Sequence, residues 1–272
     1  MGLTPGPGLR SIASMVSTVP PRVRALRVLV ARPVGRGAAM LRGLRAAGFD
    51  AAGLPTARIV PAPDPRAARK ALDAARNAAA IVYGSPNAVR AAYALQPRLR
   101  AGPATAVLGM GPATVKALAR RGCAAQAPAR RYDSEGLLAH PAVAAQAVRG
   151  RRVLLVGAPG GRGLVAKALA RRGAQVVVAE VYARVLPRWD RRHRAALAAP
   201  GACVLVVSSV ESVAALSRLA APQEWARLRA ARAIASSPRV AGALRAAGFR
   251  RIRCAASALA ADLVAAVVST AG

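Results

Sequence analysis

The sequence predicts an α/β protein made of two doubly wound parallel-sheet domains, written as a duplication. Three observations carry this. Short β-branched runs alternate with helical stretches, the pattern of parallel sheets covered on both faces. A helix ending of the form Leu-x-x-x-Gly occurs four times, the leucine closing an apolar stripe and the glycine suited to a left-handed position just past the helix. The copies are LRAAG at 44–48, LARRG at 118–122, LARRG at 169–173 and LRAAG at 244–248, so 125 residues separate Leu44 from Leu169 and 126 separate Leu118 from Leu244.

In the first half the strands fall at 28–31, 51–55, 80–83 and 106–108; in the second they fall at 153–156, 175–179, 204–207 and 232–235. VLVARPVGR from Val28 matches VLLVGAPGGR from Val153, 125 residues on, and IVYGSPNAV from Ile81 resembles VLVVSSVESV from Val204, 123 residues on. Two stiff segments interrupt the alternation: PAPDP, with Pro61, Pro63 and Pro65, and LPRWD at 186–190. Two crossings in a duplicated chain allow the opening strand-helix-strand of each half to complete the other half's sheet. The last alanine-valine run, broken by Asp262, is expected to be an amphipathic helix.

A chain of 272 residues suits two such domains and excludes a single small module. Hydrophobic residues at 54% supply cores, so global disorder is excluded despite a formal charge of +32. Of 42 basic residues only Lys70, Lys116 and Lys167 are lysines. Such basicity points to a polyanionic partner: nucleic acid, an anionic membrane, or a small substrate with many acid groups. Aromatic residues are 3%, too few for the stacking platforms of single-strand binders, and nucleic acid is not the expected partner. Most arginines sit at helical spacing on solvent faces. There is no uninterrupted apolar stretch of about 18 residues, so no membrane span is expected. Cys123, Cys203 and Cys254 are widely spaced without a C-x-x-C pair, which predicts reduced thiols in the cytoplasm rather than metal ligands. His140 precedes a proline and His193 lies in RRHR, neither with metal-ligand or triad spacing, and the ten acids form no paired-carboxylate site. Residues 1–24, rich in Gly, Pro and Ser, are expected to be disordered or a mis-assigned start rather than a signal peptide.

Candidate chemistry lies at four strand-to-helix junctions: Ser85-Pro86, Gly111-Pro112-Ala113-Thr114, Ser208-Ser209 with Glu211, and Ser236-Ser237-Pro238. Each is a good helix start, and Ser208 with Glu211 fits a capping box. All four follow strands, where doubly wound sheets open their ligand crevices and helix-start amides favour anions. Arg32 follows the first strand and Arg162 its counterpart, both as bidentate anion partners for the same cleft. Tyr182, in VYAR, is either a packed residue with a satisfied hydroxyl or a proton donor. Gly161, Gly163 and Ala166 fit G-x-G-x-x-A, but the strand is closed by Gly157 and followed by Ala158-Pro159, so the dinucleotide fingerprint is displaced.

VLVARPVG, GSPNAVRA, VLGMGPATVKALARRG, YDSEGLL, GGRGLVAKALARRG and VYAR occur in an order and spacing that resembles the uroporphyrinogen-III synthase family, from about Arg27 to the C-terminus. The resemblance implies two α/β domains joined by two extended linker strands, residues 25–60 with 193–272 forming one and 61–192 the other. It implies a cytoplasmic, monomeric lyase of tetrapyrrole and haem biosynthesis that needs no cofactor. Its substrate would be hydroxymethylbilane, an octa-carboxylate, cyclised with loss of water and inversion of ring D through a spiro intermediate to uroporphyrinogen III. Transient contact with the upstream hydroxymethylbilane synthase would follow. Because that substrate cyclises unaided to the wrong isomer, such an enzyme mainly holds a conformation, and neither triad nor metal is required. Tyr182 matches the family's tyrosine and would assist hydroxyl departure. Thr114, Ser85 and Ser208 match turn hydroxyls, and with Arg32, Gly111, Arg162, Ser209 and Ser237 make up the expected substrate contacts. The chain departs from the family pattern at Ala31, at Gly84 and at Ser236-Ser237-Pro238-Arg239. The competing reading is a basic nucleic-acid-binding or regulatory module that keeps the fold without catalysis.

Overall fold

The computed structural model describes residues 26–160, 163–199 and 201–271. In chain order the elements are β1 (Arg27–Arg32), α1 (Ala38–Ala46), β2 (Asp50–Pro55), β3 (Arg58–Pro61), α2 (Pro65–Leu72), β4 (Ala80–Tyr83), α3 (Pro86–Leu95), β5 (Ala106–Gly109), α4 (Pro112–Ala119), α5 (Ser134–Leu138) and α6 (Ala145–Val148). There follow β6 (Arg152–Gly157), α7 (Gly163–Arg171), β7 (Gln175–Glu180), β8 (Tyr182–Val185), α8 (Arg191–Ala198), β9 (Cys203–Val207), α9 (Val210–Leu219), α10 (Pro222–Ala230), β10 (Arg232–Ala235), α11 (Pro238–Ala246), β11 (Ile252–Cys254) and α12 (Ala260–Ala271). The expected α/β architecture with parallel sheets is borne out.

Two compact units result. Unit 1 holds the described residues up to Arg58 with those from Leu186 onward, and unit 2 is Ile59–Val185. Unit 1 carries a sheet in the order β11-β10-β9-β1-β2 and unit 2 one in the order β5-β4-β6-β7, with parallel pairing in both. Val28 of β1 stands beside Val204 of β9, while Ala80 of β4 stands beside Val153 of β6. Thus β1-α1-β2, from the first repeat, completes a sheet begun by the second, and β6-α7-β7 does the converse. The exchange that duplication allowed is present. Even the outer strand has a counterpart: β11 pairs with β10, and in unit 2 Gln126 makes an isolated parallel bridge to Leu108 of β5.

Strand alternation sends successive residues to opposite faces, and helices cover both. In unit 1, Leu29, Leu205 and Ala233 face Leu197, Val213, Leu228 and Leu244, while Val28, Val204 and Ile234 face Met40, Leu44, Leu263 and Val267. In unit 2, Ile81, Tyr83 and Leu154 pack with Leu72, Val89 and Leu118, and Val82, Val153 and Leu155 with Leu137, Val148, Val165 and Leu169. The four helix endings are one device. Gly48, Gly122, Gly173 and Gly248 all have φ between 69° and 91°, and each time the next residue's amide donates to the leucine carbonyl, at 3.0 to 3.1 Å. Each leucine is fully buried.

The crossings lie slightly upstream of the stiff segments. β3 and β8 form a two-stranded sheet of their own. The PAPDP stretch instead starts α2: Asp64 accepts from the Ala67 amide at 2.9 Å and Pro65 takes the first helical position. LPRWD belongs to unit 1, not to the second domain as expected for 61–192. Trp189 is buried there and its Nε1 donates to the Pro55 carbonyl at 2.9 Å, while Asp190 caps α8. The expectation for residues 1–24 lies outside the described residues.

Candidate functional site

Parallel strands deliver their carboxyl ends to one edge of a sheet, and the helix that follows each strand begins there with unpaired amides. In unit 2 the ends of β4 and β5 lead into Ser85 and Gly111; in unit 1 the ends of β9 and β10 lead into Ser209 and Ser237.

Ser85 caps α3, its Oγ accepting from the Ala88 amide at 3.2 Å. The same oxygen lies 3.1 Å from the Tyr182 hydroxyl, across 97 residues of chain. Tyr182 is 3% exposed and its ring packs in the core with Ile81, Tyr83 and Val181. A third group reaches the phenol: Arg184 donates from Nη2 to the Tyr182 oxygen at 3.3 Å, its guanidinium carbon 5.9 Å from the ring centroid. Tyr182 is therefore packed with a satisfied hydroxyl, and that hydroxyl joins a polar cluster at a strand end.

Arg184 was not anticipated. The signal was present in VYAR, because residues two apart in a strand share a face, and Tyr182 and Arg184 begin β8 in that register.

Gly111 starts α4 without a side-chain cap. Its backbone is extended, so conformation does not demand glycine, and an added Cβ would crowd Cβ of Tyr132 at 3.3 Å. Tyr132, 57% exposed, is a second residue that sequence reasoning missed. Thr114 is buried in the first turn of α4 against Gly109. Asp133, after Tyr132, caps α5 by accepting from the Gly136 amide at 2.9 Å and pairs with Arg131; the amide bond first, then the guanidinium, hold its carboxyl below the usual range.

In unit 1 the capping box of Ser208 with Glu211 is not formed. The cap is Ser209, whose Oγ accepts from the Ser212 amide at 3.1 Å, because α9 begins only at Val210 and the extended Ser209 directly precedes it. Ser209 Oγ is 3.0 Å from Ser212 Oγ, itself 3.0 Å from Thr56 Oγ1, with Ser212 and Thr56 both buried. Ser237 caps α11 through the Val240 amide at 3.4 Å.

Arg32, at the end of β1, donates to the carbonyls of Arg36 at 3.4 Å and Ala258 at 3.1 Å, while its Nε is buried with no partner. Burial pulls its guanidinium below the ordinary value. It lines a groove of about 1070 Å³ in unit 1 with Arg58, Arg188 and His193 over an apolar floor that includes Leu41 and Leu54. Arg162 lies outside the described residues, as does Gly161 of the displaced glycine motif. Among the described residues no group of His, Cys, Asp and Glu is placed to hold a metal ion, and no helix is long and apolar enough to cross a membrane.

A family model described as uroporphyrinogen-III synthase HemD matches residues 38–265. Among solved structures, the chain is similar to a mutant uroporphyrinogen III synthase from the extremely thermophilic bacterium Thermus thermophilus, with 19% identity, 91% of this chain and 98% of that chain covered, and a TM-score of 0.61. It is also similar to uroporphyrinogen-III synthetase from Helicobacter pylori, with 14% identity, 90% and 99% covered, and a TM-score of 0.57.

Proposed function

The chain belongs to the uroporphyrinogen-III synthase family, cyclising lyases of tetrapyrrole and haem biosynthesis, and from that premise we propose which of its residues carry the reaction. The substrate is hydroxymethylbilane. Its hydroxyl departs as water, the azafulvene so formed is attacked by the substituted carbon of ring D, and the spiro intermediate rearranges with ring D inverted before closure to uroporphyrinogen III. The substrate ionises readily, so the protein's work is to choose which carbon of ring D attacks, by holding a conformation.

Tyr182 assists departure of the hydroxyl. The observation that carries this is the Ser85–Tyr182 contact at 3.1 Å, which sets the phenol among helix-start donors at the carboxyl end of β4. Ser85, Gly111 and Thr114 in unit 2 and Ser208, Ser209 and Ser237 in unit 1 contact the substrate, as does Arg162. Arg32, which lines the groove of unit 1 beside Arg58 and Arg188, receives a carboxylate. We also propose a cytoplasmic monomer that takes substrate from the upstream synthase by transient contact; the free thiols of Cys123, Cys203 and Cys254 support a reducing compartment.

The test is incubation of purified protein with enzymatically generated hydroxymethylbilane, oxidation to porphyrins and chromatographic separation of isomers. Type III product is expected. Type I product alone, at the uncatalysed rate, would refute the assignment, and together with strongly salt-dependent DNA binding would favour the basic binding module.

A further inference from the structure

Arg184 has chemistry that the positions above leave unused. Its side chain is exposed, and its guanidinium is held by one long hydrogen bond to the phenol and a cation-π contact over the ring at 5.9 Å from the centroid. Among the described residues it forms no ion pair with a carboxylate. A guanidinium binds a carboxylate about twice as strongly as a neutral acceptor, and through two parallel donors instead of one. A carboxylate arriving near β8 therefore outcompetes the Tyr182 oxygen for Arg184.

We propose that Arg184 is a receptor for one substrate carboxylate, and that this pairing draws the guanidinium off Tyr182 and opens that side of the phenol to the leaving hydroxyl. The inference rests on the family reaction and on the role given to Tyr182. With Arg184 in place the phenol is sealed on one side by Ser85 and on the other by the guanidinium. Once Arg184 turns to the carboxylate, the phenolic proton moves to the substrate hydroxyl, the C–O electron pair leaves with water, and the pyrrole nitrogen lone pair fills the vacated carbon. The tyrosinate keeps the Ser85 hydroxyl as donor. It recovers its proton from the pyrrole carbon that loses hydrogen at ring closure, so the cycle balances. Substrate charge and proton donation are thus coupled through one side chain.

The experiment uses the full chain with Arg184→Gln and Arg184→Lys, each alone and combined with Tyr182→Phe, assayed on enzymatically generated hydroxymethylbilane at fixed ionic strength. Because Arg184 is exposed and supports no buried group other than the phenol, the variants are expected to fold, which circular dichroism checks. Arg184→Gln should raise KM about tenfold, the loss of one charge-assisted contact, with kcat within about twofold. Lysine should restore part of the affinity, and the rise in KM should persist in the Tyr182→Phe background. An unchanged KM, with a fall in kcat that disappears when Tyr182 is already Phe, would overturn the proposal, for Arg184 would then only hold the tyrosine. Wild-type protein that forms type I isomer alone would overturn the functional reading beneath it, and this proposal with it.

Discussion

Tyr182→Phe separates chemistry from architecture, because a loss of about 1 kcal/mol leaves the protein folded while a similar loss of barrier stabilisation is read directly as rate. Removing the phenolic oxygen deletes the 3.1 Å contact to Ser85 and the 3.3 Å bond from Arg184. Ser85 keeps the Ala88 amide as a partner, Arg184 is exposed and turns to water, and the ring keeps its place in the core. The stability lost is then one net hydrogen bond, about 1 kcal/mol, small beside the roughly 5–15 kcal/mol of a folded protein. The kinetic cost is larger in effect. A full general acid contributes roughly 10²- to 10⁴-fold, but a substrate that ionises unaided draws only part of that, so kcat is expected to fall about tenfold, equivalent to about 1.4 kcal/mol of barrier, with KM unchanged. The assay is the rate of type III isomer formation after subtraction of spontaneous type I product, alongside urea unfolding of both proteins. An unchanged kcat removes Tyr182 from the chemical step. A stability loss above about 3 kcal/mol would mean that the hydroxyl is a structural member of the core.

Thr56→Val should cost unit 1 about 1 kcal/mol, since Ser212 retains Ser209, whereas Ser212→Ala leaves the buried Thr56 hydroxyl alone and should cost about 2–3 kcal/mol; both tryptophans lie in unit 1, so fluorescence in urea reads the difference, and equal losses would refute the chain of bonds. Gly102→Ala should destabilise unit 2 by about 1–3 kcal/mol, because its Cβ would meet the Arg76 carbonyl oxygen at 2.2 Å; all four tyrosines lie in unit 2 and report it in the near-ultraviolet. Cys254 is exposed, while burial pushes the thiols of Cys123 and Cys203 up; a maleimide at neutral pH should label Cys254 first, and Cys254→Ser should abolish the fast phase.

The strands were legible because their residues face cores on both sides, which leaves continuous β-branched runs at 80–83, 153–156 and 204–207. The helix ends were legible because a left-handed residue favours glycine and the Schellman bond selects the residue that precedes it by four. β3, β8 and β11 were not, for each is three or four residues long and mostly exposed or half-buried, so no apolar run marks it. The crossing was sought in the prolines, yet Pro65 serves a helix start and LPRWD is drawn into unit 1 by Trp189, a burial that only tertiary structure reveals. At the junctions, residue type was readable but register was not: a run of Ser208 and Ser209 offers two caps, and the helix start at Val210 decides for the second.

The duplication also places a hydroxyl cluster at the corresponding position of each unit. Ser85 and Ser209 open corresponding helices in the two units, and each lies in a chain of hydroxyls that ends on a residue just past a corresponding strand: Tyr182 after β7, Thr56 after β2. In unit 1 the inner pair is closed, Thr56 and Ser212 both being 2% exposed, and their hydroxyl bond holds the residue after β2 to α9. In unit 2 the longer tyrosine carries the hydroxyl past the helix start to an exposed guanidinium, which a charged ligand can displace. The same fold position thus fastens a helix start in one repeat and, in the proposed reaction, supplies a proton in the other. Side-chain length and the neighbour two residues on, Arg184, make the difference, and the two substitutions must therefore split cleanly: Thr56→Val should lower stability with turnover intact, and Tyr182→Phe should lower turnover with stability nearly intact.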